Sequence, residues 1–132
     1  MKPEGIIIHC SDSPQGRGDD ASTIHKWHLE RNWDGIGYHY VILEDGTVQN
    51  GRPDYWAGAH AKRYNDYLGV CLIGKDTFTK EQFTALEVLV SVKLNEYDLT
   101  IDKVLGHYEV SEKTCPNFDV AKFRKLRGFN NG

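Results

Sequence analysis

Residues 37–52, GYHYVILEDGTVQNGR, restrict the fold more than any other stretch of this chain. Two β-rich runs flank EDGT, and Asp45-Gly46 suits the positive φ angles of a tight hairpin turn. Other apolar runs are short and β-branched. GIIIHC reads as a buried strand ending at His9, YLGVCLIG as a central strand closed by Gly74, and KVLGH as a strand that delivers His107. Helical segments alternate with them. STIHKWHLERN carries Ile24, Trp27 and His28 on one stripe, with Ser22 as the expected N-cap. Thr79 and Gln82 form a capping box ahead of Phe83, Leu86, Val90, Leu94 and Tyr97. FDVAKFRKLRG reads as a last helix, with Asp119 near its start and Gly128 beyond its end. Strands alternating with helices, plus one hairpin, predict an α/β domain with a central mixed β-sheet flanked by α-helices.

At 132 residues the chain is expected to form a single domain spanning 1–132, with no internal repeat or linker. The net charge of −3 gives no reason to expect a nucleic-acid partner. The basic cluster KFRKLR reads either as the solvated face of the last helix or as a contact for an anionic partner such as envelope polymer. Three cysteines without a Cys-x-x-Cys pair argue against a disulfide framework. MKPEGIIIHCSDS lacks the long apolar run of a signal peptide, and no segment approaches membrane-spanning length. The expected compartment is the cytoplasm, and the expected state is a monomer.

One further segment, LGHYEVSEKTCPNFD, places His107, Lys113 and Cys115 in a short loop-like stretch that no packed core requires. Hydrolytic zinc takes three protein ligands and leaves a position for water. His107 and Cys115 are too far apart for one helix face but are easily brought together by a loop that folds back. A third ligand must come from elsewhere, and His9, at a rigid strand end, is the best candidate.

IIIHCS, GIGYHYVILEDGTV, GAHAKRYN, LGVCLIG and GHYEVSEKTCP follow one another along the chain. In that order they resemble the zinc-dependent N-acetylmuramoyl-L-alanine amidases of the peptidoglycan-recognition-protein-like group, and most of all its compact phage members. The resemblance runs from Ile6 to Phe118. It implies a zinc ion held by His9, His107 and Cys115, and hydrolysis of the amide between N-acetylmuramic acid and L-alanine in peptidoglycan. It also implies catalytic roles for Tyr38, at the zinc-bound water, and for Lys113, at the developing oxyanion. Relatives that recycle wall fragments carry a glutamate where this chain has Cys71, expected here to be a small buried residue. The base is then Tyr38 or the zinc hydroxide.

His60 matches a family position near the substrate groove and is expected to contact substrate or to support the metal ligands. Lys62, Arg63 and Asn65 follow it as candidate contacts for stem-peptide carboxylates or glycan. Trp33, Trp56 and Tyr64 are candidates for stacking on sugar, although aromatics in a domain this size are more often core. His25 and His28 are expected to pack or lie at the surface. Strand alternation turns His39 away from Tyr38's side, and makes Cys10 a core residue instead of a fourth ligand.

The resemblance implies a phage endolysin that accumulates in the host cytoplasm and reaches the wall after membrane permeabilisation, with no stable membrane insertion and no separate wall-binding domain. Alternatives are a muropeptide-binding module without hydrolysis, a recycling amidase, and a bifunctional protein that also binds the phage RNA polymerase. Only five residues precede Ile6, so a polymerase using an N-terminal arm would have little to hold.

Overall fold

The computed structural model describes residues 1–126. A five-stranded sheet runs in the order β3-β2-β4-β1-β5. Its strands are β1 (Ile6–Cys10), β2 (Tyr40–Ile42), β3 (Val48–Asn50), β4 (Leu68–Leu72) and β5 (Val104–Gly106). β1 lies between β4 and β5 and is parallel to both, and β2 is parallel to β4. Only β2 and β3 pair antiparallel, as the hairpin requires. The sheet is therefore mixed, with its antiparallel strand at one edge. The helices are α1 (Ala21–Glu30), α2 (Lys80–Glu96) and α3 (Val120–Leu126).

Side-chain alternation divides the strands between two cores. Ile6, Ile8, Ile42, Leu68, Val70 and Leu72 pack against Leu86, Val90 and Leu94 of α2 and Val120 and Phe123 of α3. On the other face Val41, Cys71 and Ile73 meet Ile24 of α1 and Ile36. Each such side chain contributes on the order of 1.5–3 kcal/mol by leaving water. Among the described residues, no helix is long and apolar enough to cross a membrane.

The hairpin differs from a two-residue turn. Leu43 N donates to Thr47 O at 2.8 Å and Gly46 N to Leu43 O at 2.8 Å, and only Gly46 takes a positive φ, of 89°. This is a three-residue connection with glycine at the left-handed position, and Asp45 instead accepts Thr47 N at 2.9 Å. The expected cap of α1 also moves. Asp20, with extended backbone, accepts Thr23 N at 3.0 Å and donates its own N–H to Thr23 Oγ1 at 3.2 Å, leaving Ser22 inside the first turn. Thr79 and Gln82 cap α2 as expected, and Gln82 reaches further. Its buried Nε2 donates to Ile73 O at 2.8 Å and to Ile42 O at 3.3 Å, tying the start of α2 to the ends of two strands. Asp119 accepts Lys122 N at 2.9 Å at the start of α3. Gly128 and Arg127 lie outside the described residues.

Candidate metal centre

His9 is the penultimate residue of β1, and His107 follows directly on β5, so adjacent parallel strands deliver both rings at their carboxyl ends. Open α/β sheets characteristically bind ligands there. The rings lie 4.5 Å apart, centroid to centroid. Cys115 joins them because the chain beyond His107 folds back, with Tyr108 N donating to Cys115 O at 2.9 Å. Glu109 braces this return: its carboxylate accepts Gly106 N at 2.8 Å and takes Arg124 of α3 in a two-pronged contact at 2.7 and 3.0 Å. Arg124 also donates to Val104 O at 2.8 Å, so this member of the basic cluster is a brace between α3, β5 and the loop.

One donor atom from each of His9, His107 and Cys115 lies within 4.8 Å of the other two. Two imidazoles and a thiol form a donor set that a borderline-soft divalent cation such as zinc accepts. Burial holds both histidines below the ordinary imidazole range, reinforced by His60 and His107 for His9 and by Lys113 for His107. Neutral rings are the ligating form. The Cys10 thiol beside it and burial both push the Cys115 thiol up, so a bound cation is needed to form the thiolate there. Cys10 N donates to Cys115 Sγ at 2.9 Å, a contact that strengthens once the sulfur carries charge.

These residues floor a cleft of about 410 Å³, walled by Tyr38, Lys113, Thr114 and Asn117 on one part and by His28, Arg31 and Trp33 on another. The Tyr38 ring lies 5.0 Å from His9. Burial, reinforced by the thiols of Cys71, Cys115 and Cys10, pushes its phenol well above the ordinary value. Lys113 is exposed at the rim. Arg31 and Asp12, which also line the cleft, were not singled out by the sequence. Arg31 is the C-cap residue of α1 and Asp12 lies in the loop after β1 at φ 55°, and neither belongs to a periodic or spaced motif.

His60 lies in the cleft wall, but both its ring nitrogens are bonded within the protein. Nδ1 faces His9 Nε2 at 2.8 Å, and Nε2 faces Tyr67 O at 2.8 Å. Asn65 Oδ1 accepts His60 N at 2.8 Å and Ala61 N at 3.0 Å, shaping the loop. Neither Asn65 nor Lys62 nor Arg63 lines the cleft. Of the three aromatic candidates, Trp33 alone lines it; Trp56 borders a separate recess with His25 and Arg52, and Tyr64 packs 5.3 Å from Tyr67.

The histidines of α1 have a role that their spacing alone did not disclose. His25 Nδ1 accepts Ile36 N at 3.0 Å and His28 Nδ1 accepts Gly37 N at 2.9 Å, so two successive backbone N–H groups are pinned just before Tyr38. His39 is fully buried and turned away, accepting Gly69 N at 3.0 Å and donating to Trp56 O at 2.8 Å. Cys71 is buried as expected. Cys10, the last residue of β1 and paired with Leu72, is buried too, yet it borders the cleft, and its sulfur receives Asn117 Nδ2 at 3.7 Å.

The family model for N-acetylmuramoyl-L-alanine amidases matches residues 1–118. The endolysin of Enterobacteria phage T3 is 35% identical over 129 residues, covering 91% of this chain and 84% of its own length. Among solved structures, the endolysin amidase LysCS from Clostridium intestinale superposes with a TM-score of 0.85 at 30% identity, over 95% of this chain and 83% of that one. A point mutant of Drosophila PGRP-LB in complex with tracheal cytotoxin superposes with a TM-score of 0.75 at 30% identity, over 88% of this chain and 78% of that one. With a sheet, helices and donor cluster placed as described and a family match over nearly its whole length, the chain belongs to the N-acetylmuramoyl-L-alanine amidase family.

Proposed function

We propose that this protein is a zinc-dependent phage endolysin that hydrolyses the amide joining the lactyl group of N-acetylmuramic acid to L-alanine in peptidoglycan. The observation that carries this reading is the convergence of His9, His107 and Cys115, with donor atoms within 4.8 Å, on the floor of a cleft that also holds Tyr38 and Lys113. Zinc, when bound, supplies an activated water and polarises the substrate carbonyl. The remaining work falls to side chains. Tyr38 keeps its Oη proton at neutral pH, since burial pushes the phenol up, and so donates a hydrogen bond to the oxygen atoms at the reacting centre. The Lys113 ammonium stands at the rim, where negative charge on the carbonyl oxygen would be met; a positioned donor of this kind is typically worth roughly 3–4 kcal/mol. Trp33, 38% exposed on the cleft wall, offers an apolar face to a sugar ring.

The likeness to phage endolysins supports a role in host lysis, with residues 1–132 acting as one catalytic domain that meets the wall after the membrane is permeabilised. Mass spectrometry of purified Gram-negative peptidoglycan, incubated with zinc-loaded protein beside a chelated control, tests the bond and the metal together. Free stem peptides with new L-alanine amino termini in the zinc sample alone are expected. Intact glycopeptides in both samples, from protein that holds stoichiometric zinc, would replace the amidase with a muropeptide-binding module.

A further inference from the structure

We infer that His60 is a positioning residue that fixes the tautomer of His9, so that His9 meets the metal through Nδ1. The inference rests on the reading of His9 as a metal ligand. Tyr67 O, His60 and His9 form a three-member hydrogen-bonded chain. The Tyr67 carbonyl can only accept, so the His60 nitrogen 2.8 Å from it, Nε2, must carry a proton. In a neutral ring the other nitrogen is then a bare acceptor. That nitrogen, Nδ1, faces His9 Nε2 at 2.8 Å, which must therefore donate. A neutral His9 with its proton on Nε2 has its lone pair on Nδ1, the nitrogen left for the donor cluster it forms with His107 and Cys115.

The alternative would need His60 protonated on both nitrogens. Its proton would then point at His9 Nε2 and force the His9 proton onto Nδ1, which would abolish ligation through that atom. The surroundings oppose this, because a cationic His60 would stand against the rings of His9 and His39, with centroids 4.9 and 5.9 Å away, while its two nitrogens face His9 and the Tyr67 carbonyl and neither meets a carboxylate.

The His60 ring is also held too tightly to turn over. It stands edge-on to His9, at 88° with centroids 4.9 Å apart. A Cβ on Gly58 would come within 2.4 Å of its Cδ2, and one on Gly69 within 2.7 Å, so two glycines allow the backbone to close around the ring. Asn65, which accepts the His60 and Ala61 N–H groups, fixes the loop on which it rides. Metal-bound histidines commonly pass their second N–H to a carboxylate or carbonyl. Here the carbonyl lies one imidazole further away, and His60 bridges the gap.

Ring-nitrogen NMR of ¹⁵N-histidine protein tests this with and without zinc. In zinc-free protein, His9 should be protonated on Nε2 and bare on Nδ1, and His60 likewise. On adding zinc, the His9 Nδ1 resonance should move while Nε2 keeps its proton. A His9 proton on Nδ1, or a His60 proton on Nδ1, overturns the inference. Wild-type protein that binds no zinc would instead overturn the metal reading, and the zinc-free spectra would still decide the tautomers.

Zinc affinity, read by competition with a chromophoric chelator, gives the second arm. His60→Phe removes the acceptor and should weaken binding by roughly 10–100-fold. His60→Asn, whose Oδ1 can stand where Nδ1 does, should recover most of that loss and retain the His9 tautomer. Folded His60→Phe that binds zinc as tightly as wild type overturns the inference; should that variant fail to fold, the wild-type spectra alone decide it.

Discussion

Tyr38 and Lys113 differ in how they are held, and that difference predicts how their loss should read out. Tyr38 is enclosed between His9 and His28, with ring separations of 5.0 and 5.6 Å, and the backbone before it is pinned by two histidines. Tyr38→Phe removes one hydroxyl and little volume. Zinc content and fold should be retained while turnover falls about 10²–10³-fold, as for loss of one preorganised donor. Lys113 hangs exposed on the loop between the two proposed ligands His107 and Cys115, so Lys113→Ala should likewise spare zinc and stability and act on kcat. Cys115→Ser is the contrasting case, losing tight zinc and activity together. Parallel assays of zinc content, melting temperature and amide release separate these outcomes, and near-normal turnover in Lys113→Ala would mean that another group meets the oxyanion. Cys115 drew attention because its loop also carries His107 and Lys113, a combination that no packed core requires, whereas Tyr38 and Lys113 stood out as candidates through the family resemblance alone. The two bonds of His60 were not legible in the sequence, since its partners lie 51 residues back along the chain and seven ahead.

Among the elements, strands and helices were legible wherever apolar periodicity was strong, and their joints were not. The start of α1 illustrates this. Asp20 and Ser22 both qualify as caps by residue type, and the competition is settled by backbone geometry that local sequence does not carry. The hairpin was recognisable, but its turn length depended on where Leu43 and Thr47 pair. The joint between α3 and the ligand loop was read only as a basic patch, although Arg124 braces Glu109 through two bonds. Both side chains are less than a quarter exposed, at 21% and 23%, so the pair is better shielded than a surface bridge. Arg124→Ala should lower unfolding free energy by about 1.5–3 kcal/mol, the range for charge-assisted hydrogen bonds. It should also weaken zinc binding, because the loop it braces carries His107 and Cys115. Denaturant titration with a chelator competition assay checks both effects. A stability loss with unchanged zinc affinity would confine the brace to folding.

Taken as a whole, the molecule holds five histidines neutral by burial, and this makes its metal-free form acid-sensitive in a defined window. Burial holds His9, His28, His39, His60 and His107 below the ordinary imidazole value, His28 at about 4 and His60 at about 3. Each of these rings is neutral when folded but takes up a proton near pH 6.5 once the chain unfolds. The unfolded state therefore binds more protons below pH 6.5, and stability must fall as the pH drops toward the folded values. It is fully present above pH 6.5. His28 alone, 7% exposed, contributes on the order of 2–3 kcal/mol across the window from 6.5 to 4. Carboxylates such as Asp20 and Glu109, held low by their hydrogen-bond partners, lose their contribution only at lower pH, as it falls through the unfolded carboxylate range. Urea unfolding of zinc-free protein from pH 7.5 to 4 should show a loss of stability that corresponds to uptake of more than one proton. His28→Asn can keep an acceptor for Gly37 N but cannot titrate, so its slope should be shallower by about one proton between pH 6 and 4.5. A flat wild-type profile over that range would mean that the rings charge as freely when folded as when unfolded. The packing that keeps them neutral, and so ready to ligate, would then have to be weaker than the geometry requires.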